Sequence, residues 1–206
     1  MYMNFKIFQT EKKLDVQDLD FKPHCSCDFP PAAEEHLLEL ESHCGHKLPD
    51  LLRHIYKTYN GGKPQSDYYD PDNLKEDLNC FDESGYCNIA YFFKIEAKEA
   101  FAQSTQEISK ENSPEKTKSM HSIWDALALF NKNFKNAKDK LPFAKCGKNT
   151  ADGIFYLAWS KAEQPPEVWL LKPFIGKFFV AKSLEDFLQS LKKFDDVAYT
   201  RAPVLL

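Results

Sequence analysis

Apolar and polar positions follow their clearest pattern in the last third of the chain. Three runs of aromatic and β-branched residues, 154–159, 167–171 and 177–181, are separated by Gln164-Pro165-Pro166 and by the stretch from Pro173 to Gly176. Proline withholds the N–H that a sheet ladder needs and glycine tolerates tight turns, so both breaks predict hairpin connections. Leu184, Phe187, Leu188 and Leu191 then recur at helical spacing behind Ser183, a residue suited to the N-cap, with the acid Asp186 three residues on. Three short strands need a cover on one face, and this stripe predicts one. The unit opens on an apolar step, Leu141-Pro142-Phe143-Ala144, followed by a polar turn from Lys145 to Gly153.

Upstream, the pattern changes to helices. Pro31 with Glu34 and Glu35 predicts a helix start, Leu37, Leu40 and Cys44 trace one face, and Gly45 suits a left-handed end. A second helix is predicted from Pro49, carrying Leu51, Leu52, Ile55, Tyr56 and Tyr59, and stopped by Asn60-Gly61-Gly62. Together they form an αα-hairpin. Residues 87–93 read as a buried strand, 97–120 as a loop with a helical beginning, and 122–136 as a helix with Ser122 as cap and Ile123, Leu127, Phe130 and Phe134 as its stripe. Met3, Phe5 and Ile7 alternate as an edge strand would. Helices, strand, helix, three strands and helix lack the regular alternation of a doubly wound fold. The prediction is a single α+β domain with a largely antiparallel sheet and helices packed mainly on one face, over residues 31–195. Residues 1–30 read as an N-terminal extension packed on it and 196–206 as a tail.

With 206 residues, 43% hydrophobic and 28% charged, the chain fits one globular domain with appended segments. A formal charge of −4 gives no bulk attraction to nucleic acid or to a membrane surface. The start of the chain lacks the pattern of a signal peptide, no apolar run reaches transmembrane length, and the six cysteines are irregularly spaced. The expectation is a cytoplasmic protein with reduced thiols.

Charge is concentrated locally. Asp67, Tyr68, Tyr69, Asp70, Asp72, Glu76, Asp77, Asp82 and Glu83 fall in one turn-rich window whose seven acids face a single base, Lys75. One reading is an ordinary solvated loop. The sharper one is a partner-binding surface, with tyrosines supplying rigid contact area and carboxylates steering a basic protein. The lysines from Lys132 to Lys148 lack spare aromatic stacking partners and read as a solvated face, which argues against nucleic acid as a partner. His24-Cys25-Ser26-Cys27 and His43-Cys44-Gly45-His46 hold zinc-type ligands without zinc-site spacing. Asn60-Gly61-Gly62-Lys63 lacks the strand–loop–helix setting of a phosphate loop, and no Gly-x-Ser-x-Gly elbow surrounds any serine. No catalytic residue, metal or cofactor is expected.

Leu48-Pro49, Asn60-Gly61-Gly62, Leu141-Pro142-Phe143-Ala144, Asp152-Gly153, Val168 and Ser183-Leu184-Glu185-Asp186-Phe187-Leu188-x-x-Leu191 occur in an order and spacing that resemble the SUKH superfamily, over about residues 32–194. That superfamily is named partly for a yeast cell-wall-synthesis regulator of the Smi/Knr type. The resemblance implies a non-enzymatic α+β domain. It further implies either an immunity protein that neutralises a cognate bacterial toxin, often a nuclease, or an intracellular regulatory scaffold. Two departures stand out: Asp152-Gly153 reverses the family's usual Gly-Asp step, and the stretch 63–140 is long.

Overall fold

The structure is a computed structural model that describes Leu14 and residues 16–22, 30–66, 68–69, 87–98, 122–134, 137–147, 153–161, 164–173 and 175–192. Its helices are α1 (Glu34–Cys44), α2 (Asp50–Thr58), α3 (Ile123–Asn133) and α4 (Leu184–Gln189), preceded by a 3-10 turn at Val16–Leu19. Five strands, β2 (Cys87–Phe92), β3 (Lys140–Cys146), β4 (Ile154–Ala158), β5 (Glu167–Lys172) and β6 (Gly176–Ala181), make an antiparallel sheet. Two two-residue strands, β1 (Tyr68–Tyr69) and β7 (Leu191–Lys192), extend it to the order β6-β5-β4-β3-β2-β1-β7. This is the α+β class expected from the sequence.

The C-terminal hairpins form where the apolar runs and the breaks between them placed them. In-register pairs run across three strands, such as Tyr156 with Trp169 and Trp169 with Phe179. Alternation sends Phe155, Leu157, Val168 and Leu170 into the main core, where Phe187 of α4 meets Phe155 at 5.0 Å and Phe143 at 6.0 Å between ring centroids. Tyr156, Trp169 and Leu171 take the other face, and the end of α3 covers them with Phe130 and Phe134. The first half of α3, with Ile123, Trp124 and Leu127, joins α1, α2 and α4 in the main core. Ser122 and Ser183 act as caps, accepting hydrogen bonds from the backbone N–H of Trp124 and of Asp186.

Three local expectations change. The apolar step at Leu141 is not a lead-in to a turn but a strand running to Cys146. Pro142 lies beyond the last β2 pair, Phe92 with Ala144, and beside a register shift against β4, so its missing N–H costs the β2 ladder nothing. Leu191 does not continue the helical stripe: α4 stops at Gln189 and Leu191 pairs with Tyr69 in β7. Finally, Cys146 is disulfide-bonded, so the expectation of reduced thiols fails there. Adjacency in space, which spacing along the chain does not report, decides which sulfurs meet. The chain around Val16–Leu19 packs against the domain, with Leu19 and Phe21 buried and the Phe21 ring stacked on Tyr59 at 5.0 Å. The proposed strand at Met3, Phe5 and Ile7 lies outside the described residues, as does most of 97–120.

The αα-hairpin is tied by ions as well as by its core. The Glu41 carboxylate accepts from the Leu48 backbone N–H at 2.9 Å and from Arg53 at 2.6 Å, while Arg53 and Lys57 both reach Glu34. On the buried face of α2, the Tyr56 hydroxyl has no hydrogen-bond partner among the described residues, and burial pushes its pKa well up. A buried, unpaired hydroxyl gives up solvation without return. Tyr56→Phe is therefore expected to leave stability unchanged or raise it by about 1 kcal/mol in urea unfolding, and a loss of that size would show that the hydroxyl is paired.

Candidate functional site

Of the predicted partner-binding residues, the structure describes the backbone of Tyr68 and Tyr69 and no other part. Asp67, Asp70, Asp72, Glu76, Asp77, Asp82 and Glu83 lie outside the described residues. Topology nevertheless fixes both ends of the segment. Tyr69 pairs with Cys87, so residues 70–86 leave β1 and return to β2 at neighbouring backbone positions, beside β7. The acidic stretch therefore enters from one strand of the sheet and leaves into its neighbour, and segments joined to a rigid frame in this way are a usual place for recognition.

A second feature was not visible in the sequence. A cleft of about 580 Å³ opens where the turn between α1 and α2, the end of β4, the β4–β5 connection and the start of α4 come together. On its wall the His46 ring lies flat on the Trp159 indole, with centroids 4.8 Å apart and planes 3° from parallel. Asp139, in the turn before β3, ties the His46 ring and the Trp159 backbone together. Its carboxylate is 3.0 Å from His46 Nε2, and its carbonyl accepts the Trp159 backbone N–H at 2.9 Å. The Cys44 thiol donates to the His46 carbonyl at 3.4 Å, which holds the turn from behind. Pro49, Pro165 and Pro166 add stiff apolar surface. Asp50 and Glu185 line the cleft from the first turns of α2 and α4, and neither carboxylate has a partner among the described residues.

His43, Cys44 and His46, one of the two clusters with zinc-type ligands, are separated by this arrangement. Cys44 is buried on α1, where burial pushes its thiol pKa up, whereas the His46 ring is engaged by Asp139 and Trp159. The His43 ring instead meets Trp124 edge-on at 5.7 Å. Among the described residues no three His, Cys, Asp or Glu side chains converge as metal ligands would. His24, Cys25 and Cys27 lie outside them. The lysine series does not make one continuous surface either. Lys145 is buried with its ammonium over the Tyr91 ring, and Lys140 and Lys177 lie over Phe134.

The glycines after α2 are a helix stop, as expected: Asn60 has φ +43°, followed by two glycines also at positive φ. Asn60 does more than end the helix. It is 5% exposed, and its amide donates to the carbonyls of Pro30 and Ile95 and accepts from the Ile95 N–H, over 2.8–3.0 Å. It clamps the start of the domain and the exit of β2 to the end of α2. The sequence signal was the residue type before Gly-Gly, which reports the turn and not the clamp.

A family model described as the SMI1 / KNR4 family (SUKH-1) matches residues 31–190. No curated protein matches the chain.

Proposed function

The chain belongs to the SMI1 / KNR4 family (SUKH-1), and from that membership we propose that it is an immunity protein, which binds a cognate bacterial toxin in the cytoplasm and neutralises it by surface complementarity. The family match over residues 31–190 carries the reading: the family supports an immunity or SMI1/KNR4-type role and is generally non-catalytic. The acidic window adds the chemistry of the partner. Its carboxylates, in the stretch of chain between β1 and β2, favour a basic protein. Such an inhibitor needs no reactive group, since a complementary surface that covers a site is sufficient. Among the described residues no helix is long and apolar enough to cross a membrane.

Co-expression with the product of the adjacent open reading frame tests this, scored by rescue of growth; a toxic product without rescue removes the neutralising role. Charge reversal tests the surface. Asp70→Lys combined with Asp72→Lys is expected to lower the association rate by about tenfold at low salt, with a smaller effect at high salt. An unchanged rate would move the interface elsewhere. Family membership equally favours a second reading, a regulatory scaffold of the SMI1/KNR4 type. It predicts capture of partners from the protein's own cell and no rescue from any toxin.

A further inference from the structure

We propose that the cleft between the α1–α2 turn, Trp159 and the start of α4 receives an arginine side chain presented on an extended segment of the protein partner. This rests on the reading of the chain as a binder of a basic protein and names one contact it makes. The stacked rings of His46 and Trp159 offer an aromatic wall already held in place by Asp139, so little ordering remains to be done on binding. A guanidinium is planar and weakly hydrated and stacks on such rings, while its fork of donors suits carboxylates. Asp50 and Glu185 supply two, both without a protein partner among the described residues. The proline walls suit the methylene stem. A cleft of about 580 Å³ is larger than one side chain fills, which leaves room for the flanking backbone of the partner.

Charge decides against the other occupants. Lys47 is the one lysine among the described lining residues, set against Asp50 and Glu185, with Asp139 behind the His46 ring. An anionic ligand would face two free carboxylates. A lysine would satisfy the charge but would forgo the flat stacking and the two-pronged hydrogen bonding. Lys47 also disfavours a second basic residue immediately beside the first.

The test uses the full chain and a capped pentapeptide, Ala-Ala-Arg-Ala-Ala, titrated while the Trp159 indole N–H and the Gly45 amide are followed by nuclear magnetic resonance. Both signals are expected to move with the arginine peptide, about tenfold less readily with its lysine counterpart and not at all with a citrulline counterpart. Asp50→Asn with Glu185→Gln should weaken binding about tenfold, whereas Lys47→Glu should strengthen it about threefold, a gain that misfolding cannot produce. An equal response to citrulline, or a response confined to signals outside the cleft, would overturn the proposal. So would equally tight binding of free arginine amide, since the cleft would then select an isolated small cation. In the growth assay, loss of rescue by the Asp50/Glu185 double variant with an unchanged melting temperature supports the contact. Full rescue by that variant overturns the contact and leaves the neutralising role standing. Failure of the unaltered chain to rescue removes that role, and the peptide titration still decides what the cleft binds.

Discussion

Asn60→Ala is expected to destabilise the protein by about 3–5 kcal/mol, enough to consume much of a small domain's stability. The side chain makes three hydrogen bonds to backbone groups: one donated to the carbonyl of exposed Pro30, and two with buried Ile95, donated to its carbonyl and accepted from its N–H. Alanine fills none of these roles and leaves the Ile95 N–H and carbonyl without their partner. An abandoned buried group costs about 1–3 kcal/mol, more than a hydrogen bond contributes when both partners are present. Alanine also has to adopt the positive φ of +43° that asparagine tolerates. Asn60→Gly removes that strain, so it should recover about 1 kcal/mol relative to alanine and no more. Asn60→Asp adds a charge question. A buried carboxyl beside two carbonyl oxygens has its folded pKa raised, so the variant should be most stable below the ordinary aspartate range and lose stability as pH rises through and above it. Urea unfolding at pH 4 and pH 7 checks all three variants. If Asn60→Ala unfolds at the same urea concentration as the unaltered chain, the clamp is not what joins these three segments.

Much of the fold was legible because its best elements are plainly bounded. β4, β5 and β6 are apolar runs set apart by proline and glycine breaks, and residues on one face of the sheet join α4 in the main core while Tyr156, Trp169 and Leu171 meet the end of α3. The α1–α2 hairpin was marked by Gly45 and by the asparagine and glycines after α2. What escaped has a physical reason in each case. Pro142 argues against a central strand by the ordinary rule, and its place beyond the end of the β2 ladder, which no period reveals, leaves room for it. Leu191 sits where a helical stripe would continue, and burial is required of it in either conformation, so hydrophobicity alone cannot separate α4 from β7. Strands of two residues such as β1 and β7 are too short to have a period at all.

The candidate surfaces divide along the same line. The acidic window is a matter of composition and could be read directly. The cleft depends on residues far apart in the chain, with His46 and Asp139 separated by 93 positions, and no local motif joins them. Trp159 ends an apolar run, and His46 stands in a cluster of zinc-type ligands whose spacing argues against zinc. Only the closing of the α1–α2 turn against the end of β4 turns them into one wall. A sequence reading that searches for reactive groups misses such a surface, because its chemistry lies in flat rings and unpaired carboxylates brought together by topology.

Gly153→Ala is the second large effect expected, and it tests whether the reversed Asp-Gly step is structural. Gly153 has φ +128°, where a side chain is strained, and an added Cβ would stand 2.7 Å from the Leu171 carbonyl oxygen and 3.0 Å from the Leu170 side chain. The oxygen belongs to the backbone of β5, which cannot move without disturbing its ladders with β4 and β6. The same residue gives its carbonyl to the Cys146 N–H at 3.0 Å and so closes β3 onto β4. Strain and the clash together are expected to cost about 3–4 kcal/mol or to prevent folding at 37 °C. Gly45→Ala is the control, since that glycine has φ +76° but nothing within 4 Å of an added Cβ. It should lose only about 1 kcal/mol. Comparing the two urea midpoints separates conformational strain from contact. If both variants fall by the same small amount, the β5 backbone yields to the methyl group, and the reversed step marks a tolerant site in the turn where a tight strand junction is expected.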